Sequence, residues 1–129
     1  MLDTNIVSNA LRFPYGLAAT KMTEEGAPPV CMSVIVAAEL RFGAVRVGSE
    51  RLSQQIEGVI HTIDVLPLTE PVSARYAALR THLERAGTPI GPNDLLIAAH
   101  ALALDLTLVT DNLREFSRVP DLRVENWLD

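Results

Sequence analysis

The sequence predicts an α/β domain built on a central parallel sheet with helices on both faces. Three observations predict it. Short apolar runs at residues 30–32, 63–68, 106–109 and 122–125 alternate with longer helical stretches along the whole chain. The helical stretch at residues 95–104 is apolar almost all round, as a helix buried on most sides must be. With 129 residues, 48% of them apolar, the chain has the size and composition of one domain with a real core, so residues 1–129 are read as a single unit.

The elements follow in order. Met1-Leu2-Asp3-Thr4-Asn5 reads as a very short first strand ending at Asp3 or Thr4, then a helix capped within residues 3–5. Phe13-Pro14-Tyr15-Gly16 breaks that helix. Residues 17–25 form a second helix with Gly26 past its end. Pro28-Pro29 is a stiff link into the second strand, residues 30–32. Ser33 is a good N-cap for a helix over 34–47, and Ser49 caps another running to about residue 60. Residues 63–68 are the third strand, with Pro67 at its end because proline cannot donate to a ladder. A long amphipathic helix spans 69–86, with Val72, Tyr76, Leu79 and Leu83 at helical spacing and Gly87 as its stop. Gly91 and Pro92 open the buried helix, since a missing N–H costs nothing at the first helical position. Residues 106–109 are the fourth strand, which Asp111 follows directly. A turn of helix at 113–116, a Pro120-Asp121 turn and a last strand at 122–125 close the chain.

Composition removes several classes of function. No apolar run approaches the roughly 20 residues of a membrane helix. The N-terminus lacks the charged segment and long apolar core of a signal peptide. Cys31 is the only cysteine, which excludes an internal disulfide and a clustered-cysteine zinc site and fits a reducing cytoplasm. The net charge of −5 argues against nucleic acid held by charge alone, so such a role needs a local basic face or a bridging metal. Lys21 is the only lysine; the other basic side chains are arginines, which can grip phosphate bidentately.

Four acids stand out by position. Ligands of an open parallel sheet bind beyond the carboxyl ends of its strands. Asp3 ends the first strand, Asp111 follows the fourth, and Asp94 opens a helix whose N-terminus can reach the same edge. Glu39 shares a stripe with Ile35 and Phe42 that is otherwise apolar, where an ionised carboxylate needs a partner. Each residue alone has a plainer reading. Asp3 can cap the first helix, Asp94 can favour a helix dipole, Asp111 can cap the helix after it, and Glu39 can pair with Arg41, Arg46 or Arg75. Together they form one sheet-edge pattern. Two unit charges about 4 Å apart repel by about 4 kcal/mol at an effective dielectric of about 20, so such a cluster wants a cation. An all-oxygen donor set suits Mg²⁺ or Mn²⁺ rather than zinc. Such an ion polarises a phosphoryl oxygen and activates water, and phosphodiester hydrolysis follows.

The same residues carry a resemblance. Leu2-Asp3-Thr4-Asn5, Ser33 to Glu39-Leu40 with Gly43, Gly91 to Asp94 with Ile97-Ala98-Ala99-His100-Ala101, Thr110-Asp111-Asn112 with Phe116, and the closing Val119 to Trp127 occur in order over essentially the whole chain. The chain thereby resembles the PIN-domain ribonucleases, specifically the VapC-type toxins of toxin–antitoxin pairs. The resemblance implies a three-layer α/β/α domain and a Mg²⁺- or Mn²⁺-dependent endoribonuclease acting on structured RNA such as transfer or ribosomal RNA. It implies Asp3, Glu39, Asp94 and Asp111 as the acidic site, with Asp3 and Asp94 as direct metal ligands and Thr4 and Asn112 in support. It also implies a homodimer, a cognate antitoxin that blocks the site, and operator DNA bound only through that antitoxin. One departure is that only two residues precede Asp3, which leaves a minimal first strand.

Two other classes remain as readings. One is a catalytically silent domain of the same fold that binds a partner and regulates transcription. Another is a phosphatase, which needs a second aspartate two residues after the first; Asn5 stands there. The acids alone do not separate RNA from DNA as substrate. His100 is read as a satisfied core histidine, His61 and His82 as surface groups, and Cys31 and Trp127 as packing residues. Arg80, Arg85, Arg114 and Arg118 are read as solvated surface side chains.

Overall fold

A computed structural model describes residues 1–128. The Asp3 side chain accepts the Thr4 N–H at 2.8 Å and caps α1 (Thr4–Arg12). After the Phe13–Gly16 turn comes α2 (Leu17–Thr23), two residues shorter than expected, with Gly26 at φ +80° in the turn beyond. β1 (Cys31–Ser33) runs straight into α3 (Val34–Val47): Ser33 is both the last strand residue and the N-cap, its Oγ accepting the Ile35 N–H. Gly48 ends α3 in the left-handed conformation (φ +72°), which a side chain would resist. α4 (Glu50–Thr62), β2 (Asp64–Leu66), α5 (Glu70–Arg85), α6 (Pro92–Ala103), β3 (Leu108–Val109), α7 (Leu113–Phe116) and β4 (Val124–Glu125) follow.

The sheet is assembled from short pieces. β1 pairs parallel with β2, and β3 pairs parallel with β4. The N-terminal segment joins the two pairs. Leu2 donates to the Cys31 carbonyl at 2.8 Å, Asp3 donates to the Val109 carbonyl, and Val109 donates to the Met1 carbonyl. The order across the sheet is therefore β2, β1, residues 1–3, β3, β4. The minimal first strand occupies the centre, with Leu2 wholly buried.

The core lies against this sheet and includes Leu2, Ile6, Met32, Val36, Leu40, Ile97, Leu108, Phe116 and Trp127. Six of the seven residues from Leu95 to Ala101, His100 among them, are buried, as an all-round apolar helix requires. The long helix behaves as its spacing predicts, with Val72, Leu79 and Leu83 buried and Tyr76 half-buried. The strands are shorter than the apolar runs that announce them. The run at 106–109 keeps only Leu108 and Val109 in the ladder, and Thr110 separates that strand from Asp111. The run at 63–68 keeps Asp64 to Leu66, with Pro67 beyond the end. No described helix is long and apolar enough to cross a membrane.

Candidate active site

The acids come together because four chain segments end at one edge. Asp3 is 5% exposed, held from two sides: Oδ1 accepts the Thr4 N–H at 2.8 Å, and Oδ2 accepts the Thr110 hydroxyl at 2.7 Å. It caps α1 and belongs to the cluster as well, so its two readings were not alternatives. Thr110 is buried at the exit of β3, and its Oγ1 also accepts the Asn112 N–H at 3.0 Å. One threonine thus ties the first strand's carboxylate to the loop that carries Asp111.

Glu39 lies one and a half turns into α3. Its Oε1 accepts the Thr4 hydroxyl at 2.6 Å, so α1 and α3 are joined across the site. None of the three arginines considered as its partner takes that part; Arg41 instead pairs with Glu57 at 2.7 Å. The stripe of Ile35, Glu39 and Phe42 also proves to be a groove wall rather than a buried face, with Phe42 64% exposed. The buried face of α3 is Val36, Ala37, Leu40 and Ala44. Asp111 is exposed and accepts from the Asn5 amide at 3.2 Å. Asn112, not Asp111, occupies the cap position of α7.

The structure adds an acid that pattern reading missed. Glu115 on α7 accepts the Gly91 N–H through Oε1 at 3.2 Å and the Asn112 amide through Oε2 at 3.0 Å. It also stands beside Asp94, and the two carboxyls perturb each other. A signal for it existed: Glu115 stands three residues after the cap residue Asn112, the spacing of a cap and an acid in the first helical turn.

Electrostatics follow from this crowding. Burial raises the Asp3 carboxyl above the usual range; the Thr110 and Thr4 hydrogen bonds oppose that, and Glu39 and Asp111 add to it. Asp94 is pushed up to about 8, first by burial, then by its bond to Glu115 and by the charges of Asp3, Glu115 and Glu39. Glu115 is lowered, chiefly because Asp94 donates to it.

A divalent cation fits the chemistry of this donor set. The donors are all carboxylate oxygens, and their mutual repulsion is met by a proton on Asp94 rather than by a nearby base. Among the described residues no three acidic, histidine or cysteine side chains already converge on one ion position.

His100 lies outside this chemistry, as expected. It is fully buried, and its Nδ1 makes a 2.8 Å bond with the Ser33 hydroxyl. Its Nε2 is buried without a hydrogen-bond partner among the described residues, and burial lowers its pKa. His61 and His82 are exposed, Cys31 is half-buried, and Trp127 is a core residue whose Nε1 donates to Glu125.

A groove of about 1120 Å³ runs from the acids along the channel between α1, α3 and α4. Thr4, Asn5, Glu39, Asn93 and Asp111 line its acidic end.

Comparison with known proteins gives a consistent set of likenesses. Residues 1–122 match the family model described as PIN domain. The chain is 36% identical to "Ribonuclease VapC2" of Rickettsia felis, over 98% of this chain and 96% of that protein. It is 40% identical to the "tRNA(fMet)-specific endonuclease VapC" of Salmonella typhimurium, with 98% and 96% covered. Its fold superposes on a chain of the DNA-bound VapBC crystal structure from Salmonella typhimurium with a TM-score of 0.90 at 35% identity, covering 98% of this chain and 96% of that one.

Proposed function

The chain belongs to the PIN-domain family, in its VapC branch, and from that premise we propose that it is an endoribonuclease, the toxin of a toxin–antitoxin pair, whose acid cluster works with Mg²⁺ or Mn²⁺. The observation that supports this most is the crowding of Asp3, Glu39, Asp94 and Asp111, from four separate segments, beside an open groove that Glu39 and Asp111 line.

Asp3 and Asp94 would hold the ion directly, with Glu39 and Asp111 completing the acidic set. When bound, the ion polarises a phosphoryl oxygen and lowers the pKa of an attacking water. The chain's own groups position the ligands. The Thr110 hydroxyl and Thr4 N–H aim the two oxygens of Asp3, the Thr4 hydroxyl holds Glu39, and the Asn5 amide holds Asp111. Glu115 and Asn112 brace the loop into α6 and so set where Asp94 stands. The Asp94 proton must leave before the carboxylate can ligate, so metal affinity rises as pH rises towards 8.

The substrate is structured RNA, with transfer RNA the first candidate, because a relative 40% identical is a tRNA(fMet)-specific endonuclease. The chain acts as a homodimer. A cognate antitoxin inhibits it and carries the pair to operator DNA, in keeping with the DNA-bound VapBC complex whose fold it shares.

Incubation of the purified chain with total RNA in Mg²⁺, in Mn²⁺ and in chelator tests the activity, with Asp94→Asn as control. Discrete fragments are expected in either metal and none in chelator or in the variant. Equal cleavage by wild type and Asp94→Asn would remove the metal assignment; intact RNA in every lane would remove the ribonuclease.

A further inference from the structure

Charge is segregated along the groove. Its acids stand at one end, and Arg12 and Arg46 line its far part. At 1.5 Å of rise per residue, Arg12 lies about 12 Å along α1 from Thr4, and Arg46 about 10 Å along α3 from Glu39. Both arginines are thus a couple of nucleotides from the acids. Each lies over an aromatic ring: Arg12 Cζ is 5.9 Å from the centroid of Phe13, and Arg46 Cζ is 5.7 Å from that of Phe42. The rings are 52% and 64% exposed and belong to opposite walls. Arg41, Arg80 and Arg123 all spend their charge on a carboxylate. Arg12 and Arg46 have no carboxylate partner among the described residues, so their charge is available to a polyanion. Between the two pairs the groove presents Ser8, Asn9 and Gln55, uncharged groups that can meet base edges.

The geometry points to this part of the groove as the track for single-stranded RNA flanking the cut. Phe13 and Phe42 are stacking platforms for its bases, and Arg12 and Arg46 are contacts for its phosphates. The assignment rests on the ribonuclease reading and adds the residues that select an unpaired flank. A ring with an arginine on one face keeps its other face for a base, and a guanidinium plane stacks on bases as well. An extended protein segment is the competing occupant, and Val47 on the same wall would suit it. It would need apolar contact but neither ring stacking nor phosphate-seeking charge. The segregation of charge and the two arginine–ring pairs favour RNA.

The test is fluorescence anisotropy of a labelled 12-nucleotide single-stranded RNA with the full chain in chelator, across a salt series. Phe13→Leu and Phe42→Leu keep apolar bulk and lose the ring, and each is expected to weaken binding about tenfold, the scale of one lost base stack. Phe13→Trp and Phe42→Trp are expected to restore it. Arg12→Gln and Arg46→Gln are each expected to reduce the salt slope by about 0.7, the value for one phosphate contact on a single strand. All four sites of change are exposed, and circular dichroism checks that the fold is kept. Leucine variants that bind like wild type, unchanged salt slopes, or a wild-type chain that holds the 12-mer no better than a mononucleotide would each overturn the assignment. A chain that cuts RNA yet shows these null results loses only this inference. One that binds through the rings yet cuts nothing loses only the ribonuclease reading.

Discussion

Asp94 carries much of the electrostatic strain of the site, and its pH dependence has a definite sign. Its folded pKa is about 8, against an ordinary value of 3.8. Between those values the folded chain keeps a proton that the unfolded chain releases, so stability from this group falls as pH rises across that window. Below it the carboxyl is neutral in both states, and the penalty vanishes. In chelator, Asp94→Asn is therefore expected to raise the urea midpoint at pH 8 and to leave it nearly unchanged at pH 4; its amide can still donate to Glu115. An equal effect at both pH values would contradict the buried, crowded carboxyl. A cation that binds only the folded state relieves the same strain, so Mg²⁺ or Mn²⁺ should raise the wild-type midpoint and not that of Asp94→Asn. At this scale the helix starts that carry Asp3 and Asp94 were readable, since helix ends are visible in pattern. Glu115 was not read, because a four-residue helix has too little periodicity to show which face it presents. The orientation of Glu39 also escaped: which stripe of α3 is buried depends on what packs there, and the groove leaves Phe42 uncovered.

Among the elements, the junction of β1 and α3 controls where Glu39 stands. Ser33 is wholly buried, accepts the Ile35 N–H at 3.1 Å and bonds His100 at 2.8 Å. One hydroxyl so connects the cap of the Glu39 helix to α6, the helix of Asp94. Ser33→Ala removes the cap and leaves a second buried nitrogen of His100 without its partner. The expected loss is about 2 kcal/mol of unfolding free energy, combining a lost cap with an unsatisfied buried group. A urea titration measures it, and a loss below about 0.5 kcal/mol would show that the bond contributes little. Helix positions were legible because caps are local chemistry: Ser33, Ser49 and Pro92 each act on their own neighbours. Strand lengths were not. Ladders of two or three residues end where the partner strand ends, and no residue within the run announces that.

At the scale of the whole molecule, the sheet depends on a first strand of minimal length. Leu2 is wholly buried, and residues 1–3 bond to β1 on one side and β3 on the other. Leu2→Ala opens a cavity at the centre of the sheet and is expected to cost about 3 kcal/mol, within the range for buried leucines. Because Asp3 follows directly, the variant is also expected to lose nuclease activity before it unfolds; unchanged activity and midpoint would show that the centre of the sheet lies elsewhere. By itself the sequence determined the alternation of strands and helices, the caps and the buried α6, since these follow from periodicity and local hydrogen bonding. Only the tertiary structure decided that residues 1–3 lie between β1 and β3, that Glu115 stands beside Asp94, and that Arg12 and Arg46 line one groove. Those facts pair residues up to about a hundred positions apart, and the packing of the sheet, not any local pattern, brings them together.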